Sequence, residues 1–195
     1  QVGIVTVKEG KPILDPTKIA AEEKGLDIHN NFQDPAAFIN ANGQKGLQIP
    51  VLRAGNYVIN PWFADVEKVD MTRVDIGYCG VVTSFVGEEG EDISGEDVNA
   101  KIVDNGKKGI WANPLEPGKH PINTKVCKVD IVPTTQILLN WADNTSSSHQ
   151  LDSNLSTITL RTADAFSVNM DVSVIIHIPM KNAPKVIANL GSVKN

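Results

Sequence analysis

The stretch NGQKGLQIPVLRAGNYVIN, at residues 42–60, returns as NGKKGIWANPLEPGKHPIN at residues 105–123. Over residues 42–70, ten of 29 positions are identical to the position 63 residues later. Upstream, Gly3-Ile4-Val5-Thr6 matches Gly80-Val81-Val82-Thr83 at an offset of 77, so the first copy carries 14 extra residues (77 − 63 = 14). Two copies are fewer than the three or so repeats that a solenoid needs. The repeat therefore predicts two tandem β-modules.

Composition and charge exclude several classes of protein. The chain has 195 residues, of which 41% are hydrophobic and 21% charged, a composition typical of a globular protein with a buried core. No apolar window is long enough to span a bilayer. The formal net charge is −5, whereas a nucleic-acid surface needs clustered Lys and Arg. We therefore predict no nucleic-acid partner.

Alternating apolar and polar residues from Phe166 to Ile178 predict one long, half-exposed β-strand. Its expected antiparallel neighbour is Thr157–Thr162, joined to it by a turn at residues 163–165. The remaining strands are predicted between glycine and proline turns, at residues 3–7, 48–52, 57–59, 63–69, 79–86 and 126–141, the last broken at Pro133. These strands and few helices predict a β-rich α+β fold.

Two short helices carry start and stop signals. Asp34 is a candidate N-cap with Gly43 as terminator, and Asn182 is a candidate N-cap with Gly191 as terminator. A further helical turn is predicted within residues 94–100. The second helix is expected to bury an apolar stripe made of Val186, Ile187 and Leu190.

No group of residues indicates an active site, so we predict no catalytic, cofactor-binding or metal-binding residues and no enzyme. The histidines lack metal-site spacing and are interpreted as structural or surface residues: His29, His120, His149 and His177. The acidic residues of Glu88–Asp97 do not fit a calcium loop and predict a solvated loop tip. Ser146–Asp152 contains the residue types of a hydrolase triad, but within a polar stretch that cannot orient them.

The large aromatic residues and the cysteines are expected to be structural. Trp62, Trp111 and Trp141 are predicted to anchor the cores of the modules, with an exposed contact patch as the alternative for Trp62. Cys79 and Cys127 lack CxxC spacing and are predicted to be buried free thiols.

The second copy and its continuation resemble a known domain. Gly80-Val81-Val82-Thr83, then Leu115–Asn123, then Val129–Val132 resemble the opening of the SPFH (band 7, prohibitin-homology) domain of stomatins, prohibitins and flotillins. In that family a threonine-rich strand, a long alternating strand and a short helix follow, as they do in residues 156–191 here. Residues 29–38 and 176–187 are similar to a bacterial flotillin-like subgroup that carries an additional opening module.

The resemblance implies residues 1–75 as an extra copy of the opening module and residues 76–195 as an SPFH domain truncated in its C-terminal helical part. It also implies a non-enzymatic, membrane-associated scaffold that forms homo-oligomers, organises membrane microdomains or membrane protein complexes and, in some branches, restrains proteases. The chain opens with Gln1 rather than Met, so we expect a soluble excerpt whose membrane anchor and coiled coil lie outside it.

The alternative hypothesis is an extracytoplasmic ligand-binding β-protein with a cleft between the two modules. Aromatic residues clustered at the junction would favour the ligand binder. An exposed apolar stripe at a lateral edge would favour the scaffold.

Overall fold

The computed structural model describes residues 1–15, 17–22, 25–95, 100–142 and 155–191. The β-rich α+β class predicted from the sequence is confirmed, with mostly antiparallel sheets and few short helices. The elements in chain order are β1 (Val2–Val7), α1 (Pro35–Asn40), β2 (Gly46–Leu52), β3 (Ala64–Val69), β4 (Thr72–Val74), β5 (Tyr78–Ser84), β6 (Ile102–Val103), β7 (Gly109–Trp111), β8 (Gly118–His120), β9 (Cys127–Pro133), β10 (Ile137–Trp141), β11 (Ile158–Arg161), β12 (Ser167–Met170), β13 (Val172–Ile176), a 3₁₀ turn (Met180–Asn182) and α2 (Ala183–Leu190).

The two halves of the repeat form sheets with the same strand register. In the first copy β1 lies between β2 and β3, and in the second β5 lies between β7 and β9. Six residue pairs join β1 to β3, from Val2 with Val69 to Val7 with Ala64. Adding 77 to the first partner and 63 to the second gives, in every case, a pair observed between β5 and β9. The two copies therefore share register as well as sequence.

A close approach of side chains fixes the glycine at the same place in both sheets. A Cβ atom on Gly3 would lie 2.8 Å from Val66 Cγ1, and one on Gly80 would lie 3.0 Å from Val129 Cγ1. Real Cβ contacts are essentially never shorter than 3.0 Å, so a Cβ on Gly3 would require Val66 to shift, and one on Gly80 would lie at this limit.

The two copies pack directly against each other. Val86 and Val126 of the second copy form a buried cluster with Ala20, against which Leu47 and Ile49 of β2 pack. The amide of Asn123 crosses the junction and donates hydrogen bonds to the carbonyl oxygens of Gln48 (2.9 Å) and Ile49 (3.2 Å). The junction is therefore an aliphatic core joined by a buried amide.

The extra segment of the first copy covers the other side of its sheet. Phe32 and Phe38 pack there with the buried residues of β1 and with Phe63. The Asp34 carboxylate accepts a hydrogen bond from the Ala37 N–H (2.9 Å) and caps α1 as predicted. The predicted terminator, Gly43, is wrong, because α1 ends at Asn40 and the left-handed residue is Asn42, with φ 60°.

The second helix, α2, covers the sheet of the second copy through a different stripe from the one predicted. Its buried residues are Ala183, Pro184, Ile187 and Ala188. Leu190 is 63% exposed and lies at the last position of the helix. The predicted terminator is correct: Gly191 has φ 73° and its N–H donates to the Ile187 carbonyl (2.8 Å).

Two strand predictions are wrong. Residues 166–178 were expected to form one strand but form two, β12 and β13, separated at Asp171. β12 pairs with β11, whereas β13 pairs with β10. Residues 57–59 form no strand, because no neighbouring strand pairs with them in the described part of the chain. The helical turn expected within residues 94–100 falls partly outside the described residues.

Candidate self-association surface

Two antiparallel ribbons, which we call together the arm, extend beyond the two modules. The root of the arm pairs β10 with β13, from Ile137 opposite Ile176 to Trp141 opposite Val172. The tip pairs β11 with β12 and closes in a turn where the Thr162 N–H donates to the Phe166 carbonyl (2.9 Å). The hairpin at residues 157–170 therefore forms as the sequence predicts.

The tip has one apolar and one polar face because residues two apart point to the same side of a strand. Register places Ile158 opposite Met170 and Leu160 opposite Val168 on the apolar face. Leu160, Val168 and Met170 are 48%, 47% and 42% exposed, and Phe166 at the turn is 71% exposed. The polar face carries Thr159 hydrogen-bonded to Asn169 (3.0 Å). The predicted alternation is correct, but its apolar side lies in solvent.

The root also leaves apolar side chains exposed. On one of its faces Leu138 lies opposite Ile175, and these residues are 44% and 65% exposed. On the other face Ile137 is buried, whereas Val174 and Ile176 are each more than a third exposed. Exposed apolar side chains are therefore present at both the tip and the root of the arm.

The arm has little support from the rest of the described structure. Within the described residues β11 and β12 contact each other and no other element to a similar extent. An isolated two-stranded ribbon is marginally stable in water at best. Scattered surface apolar residues are ordinary in proteins, but a continuous apolar patch on a monomer is typical of an interaction site.

Three of the four histidines lie within the described residues. His29 is buried, His120 is half-buried with its Nε2 2.7 Å from the Glu116 carbonyl oxygen, and His177 is exposed; His149 falls outside the described residues. In the described ranges, no group of three or more His, Cys, Asp or Glu side chains is placed to hold a metal ion.

His29 is the one of these whose environment the sequence does not predict. Its Nδ1 accepts a hydrogen bond from the Phe32 N–H (2.9 Å), and its ring centroid lies 4.4 Å from that of Phe32 and 5.2 Å from that of Phe38. Its buried Nε2 has no hydrogen-bond partner among the described residues. Burial holds the pKa of His29 below its ordinary value of 6.5. The neutral ring is therefore a structural part of the first core.

The acidic loop of the second copy is held by local hydrogen bonds. Lys107 pairs with Glu88 and lowers the pKa of that carboxyl group. Asp92 accepts a hydrogen bond from the Ser94 N–H (3.0 Å), and hydrogen bonds from Ser94 lower its pKa. Glu96, Asp97 and the whole of the Ser146–Asp152 stretch lie outside the described residues.

The prediction that Trp62 anchors a core is wrong, since its side chain is 86% exposed. Asn60 Oδ1 accepts a hydrogen bond from the Trp62 N–H (2.9 Å) and fixes a turn that directs the indole away from the sheet. The same turn in the second copy presents Lys125, whose N–H donates to Asn123 Oδ1 (3.1 Å). Trp111 and Trp141 are half-buried.

The two cysteines are unpaired and differ in burial. Cys79 is fully buried, and its burial raises the pKa of the thiol. Cys127 is only half-buried, contrary to the prediction, and burial raises the pKa of its thiol.

A cavity of about 430 Å³ borders the junction of the two copies. Its lining is Gln1, Val2, Arg53, Ala54, Met71 and Pro121. It contains no aromatic residue, the feature that would favour the ligand-binding hypothesis.

Comparison with known proteins identifies the family. Residues 72–195, well over half of the chain, match the model of the SPFH domain / Band 7 family. No curated protein and no solved structure matches the chain. No helix among the described residues is long and apolar enough to cross a membrane. The chain belongs to the SPFH / Band 7 family, whose members are in general non-enzymatic, membrane-associated scaffolds that oligomerise.

Proposed function

We propose that this chain is part of a membrane scaffold whose copies associate through their arms and organise membrane microdomains or membrane protein complexes. The observation that carries the proposal is the exposed apolar face of the tip, formed by Leu160, Phe166, Val168 and Met170. Covering such a face would stabilise the ribbon by about 25 cal/mol for each Å² of apolar surface removed from water.

A second copy is the occupant that fits this face best. The face is apolar, so the same face of a neighbouring copy can cover it without any new charge pairing. In the described part of the chain, β11 and β12 have no other neighbouring strand, and their outer edges offer unpaired backbone groups to a neighbour. Lateral association of arms would therefore use both the side chains and the edges.

We propose further that residues 1–75 are an extra copy of the module that opens the SPFH domain, and that residues 76–195 are that domain. The shared register of the two sheets and the shared glycine at positions 3 and 80 support this division. Such an arrangement is the one expected of a flotillin-like subgroup, to which we assign the chain within its family.

The test is light scattering coupled to size exclusion, on this chain over a range of concentrations and on the native protein extracted from membranes in detergent. Leu160→Ser with Val168→Ser removes the centre of the apolar face. Thr159→Ser with Asn169→Ser, on the polar face, is the matched control. We expect large particles for the native protein and for the control, and much smaller ones for the apolar-face variant. Equal masses for both variants would contradict the proposal.

Microdomain organisation has a separate readout in cells. We expect the native protein to form clusters in the membrane, and the apolar-face variant to stay in the membrane fraction but to spread evenly. A variant that remained clustered would show that the arm does not organise the assembly. A variant that left the membrane would show that the face binds lipid rather than a second copy.

A further inference from the structure

The segment that covers the first copy contains a run of left-handed backbone. Asn30, Asn31 and Phe32 have φ values of 46°, 55° and 64°. Asparagine adopts a positive φ more readily than most residues, whereas a bulky side chain does so rarely. Such backbone is locally unfavourable and persists only where its surroundings hold it in place. The turn around these residues is therefore strained, and the strain is greatest at Phe32.

A hydrogen bond from the most strained residue to His29 holds this turn. The Phe32 N–H donates to His29 Nδ1 (2.9 Å). A neutral imidazole has one donor and one acceptor nitrogen, so this bond places the ring proton on Nε2. A protonated imidazole has two donors and no acceptor, and it cannot accept from the Phe32 N–H. Protonation of His29 therefore removes the contact at the point where the strain is greatest.

The cover around the ring offers no partner for a positive charge. His29 is 1% exposed, its Nε2 has no hydrogen-bond partner among the described residues, and Phe32 and Phe38 flank the ring. The nearest acidic residues along the chain, Asp27 and Asp34, are exposed, and Asp34 is engaged as the cap of α1. A charged ring at this place would be buried among apolar groups, which is costly.

The sheet beneath the cover is apolar as well. Its titratable residue in this core is Tyr57, and histidine is the side chain that ordinarily changes charge between pH 5 and 8. Lys8 and Asp65 are exposed and pair with each other (2.9 Å). The pKa of His29 is lowered by burial and not by a neighbouring charge. The residues that the sheet and the loop before β3 add to this core are Val5, Val7, Leu52, Phe63 and Ala64.

We propose that residues 26–43, the cover segment, form an acid-sensitive cover: protonation of His29 releases the turn at Phe32 and opens the segment, exposing the apolar face of the first sheet while the second copy stays folded. The corresponding stretch of the second copy, residues 87–105, contains no histidine. The switch therefore belongs to the first copy alone. It does not depend on the proposed scaffold function.

Native-state hydrogen exchange in low urea tests the proposal on the chain itself. The reporters are the N–H groups of Asn31, Asp34 and Gly43, which donate to carbonyl oxygens within the cover segment (2.8, 3.2 and 2.9 Å). We expect the reporters to be less protected than the amides of β5 and insensitive to low urea, as in a local opening. From pH 7.5 to 5.5 their protection, corrected for intrinsic exchange, should fall by up to about tenfold.

Two variants separate the titration from the strain. His29→Gln keeps a side-chain acceptor but does not titrate, so the protection of the cover segment should no longer depend on pH. Asn31→Ala makes the left-handed conformation more costly and should lower the protection at both pH values while keeping the response to pH. His177→Gln, at an exposed site, is the matched control and should behave as the unchanged chain.

Equal protection and equal urea dependence in the cover segment and in β5 would show that the segment opens only when the whole chain unfolds, and would overturn the proposal. Protection of the segment that did not change with pH, or a full pH response in His29→Gln, would overturn it too. If His29→Gln does not fold, the pH and urea dependence of the unchanged chain decide the question. The arm variants leave the cover segment intact, so this outcome is separate from that of the scaffold test.

Discussion

The two modules and the arm are both built from strands rich in apolar residues, but these residues end in opposite environments. In the central strands of the modules, β1 and β5, neighbouring apolar residues are buried on both faces, and Val5 and Val82 are completely buried. In the arm apolar and polar residues alternate, and Val168 and Met170 are more than two fifths exposed. Alternation determines that a strand forms and which side chains share a face. It does not determine what covers that face. In the modules the cover comes from the chain itself, and for the arm we propose that it comes from a neighbouring copy.

The two copies also differ from each other in what covers equivalent surfaces of their sheets. Leu47 and Ile49 of β2 pack against the second copy, whereas their counterparts Ile110 and Ala112 pack near α2. The β2 surface of the first copy is therefore covered by the second copy, whereas the corresponding surface of the second copy is covered by the helix α2.

The largest expected effect concerns the segment that covers the first copy. Phe38→Ala should lower the free energy of unfolding by about 3–5 kcal/mol, because a large buried ring is replaced by a cavity. Phe85→Ala, at a site that is 52% exposed, is the control and should cost far less. Urea unfolding monitored by circular dichroism gives both values. Similar losses for the two variants would mean that residues 29–43 do not form the core of the first copy.

The next largest effect concerns the junction. Asn60→Ala and Asn123→Ala each remove a carbonyl oxygen that accepts from the N–H two residues on, at 2.9 and 3.1 Å. Only Asn123 also donates to Gln48 and Ile49 of the other copy. We expect Asn123→Ala to lower the free energy of unfolding by about 1–3 kcal/mol more than Asn60→Ala does, since it leaves buried carbonyl groups unpaired. Equal unfolding free energies would show that the amide does not hold the copies together.

A smaller effect is expected from pH. Because the pKa of His29 is lowered in the folded protein, the unfolded chain binds this proton more readily. The free energy of unfolding should be level above pH 6.5 and fall as the pH drops below it, by at most about 1.4 kcal/mol per pH unit. Between pH 7.5 and 5.5, the free energy of unfolding of His29→Gln should not show this slope. That of the exposed control, His177→Gln, should still show it. An unchanged slope in His29→Gln would assign it to other groups.

The smallest effect on stability is expected in the arm. Leu160→Ser should change the unfolding free energy of the unassembled chain by no more than about 0.5 kcal/mol, as surface substitutions usually do. The same substitution is expected to reduce particle size, so stability and assembly would respond separately. A loss of stability as large as that of Phe38→Ala, seen in dilute chain, would show that the face packs within one copy.

Much of the fold could be predicted from the sequence because local signals and register agree. Glycine and proline turns marked the positions of most strands, and Asp34 and Gly191 marked the ends of helices that the structure contains. What could not be predicted depends on turn geometry and on which strands become neighbours. The turn fixed by Asn60 leaves Trp62 exposed, and the break at Asp171 depends on which strand is the neighbour.

The sequence predicts the alternating strand that carries the candidate surface, but not that its apolar side lies in solvent. Alternation over residues 166–178 indicates a half-exposed strand, and the structure then shows that the apolar half is also exposed. No short sequence pattern predicts the burial of His29. Its ring packs against Phe32 and against Phe38, and Phe38 lies on the following helix, α1.

Hydrogen exchange of the arm, compared between monomer and assembly of the native protein separated by size, tests the central claim most directly. The account predicts that the amides of β11 and β12 exchange rapidly in the monomer and become strongly protected in the assembly, while those of β1 and β5 are equally protected in both. Equal exchange of the arm in monomer and assembly would contradict it, since the apolar face would then remain uncovered when the copies associate.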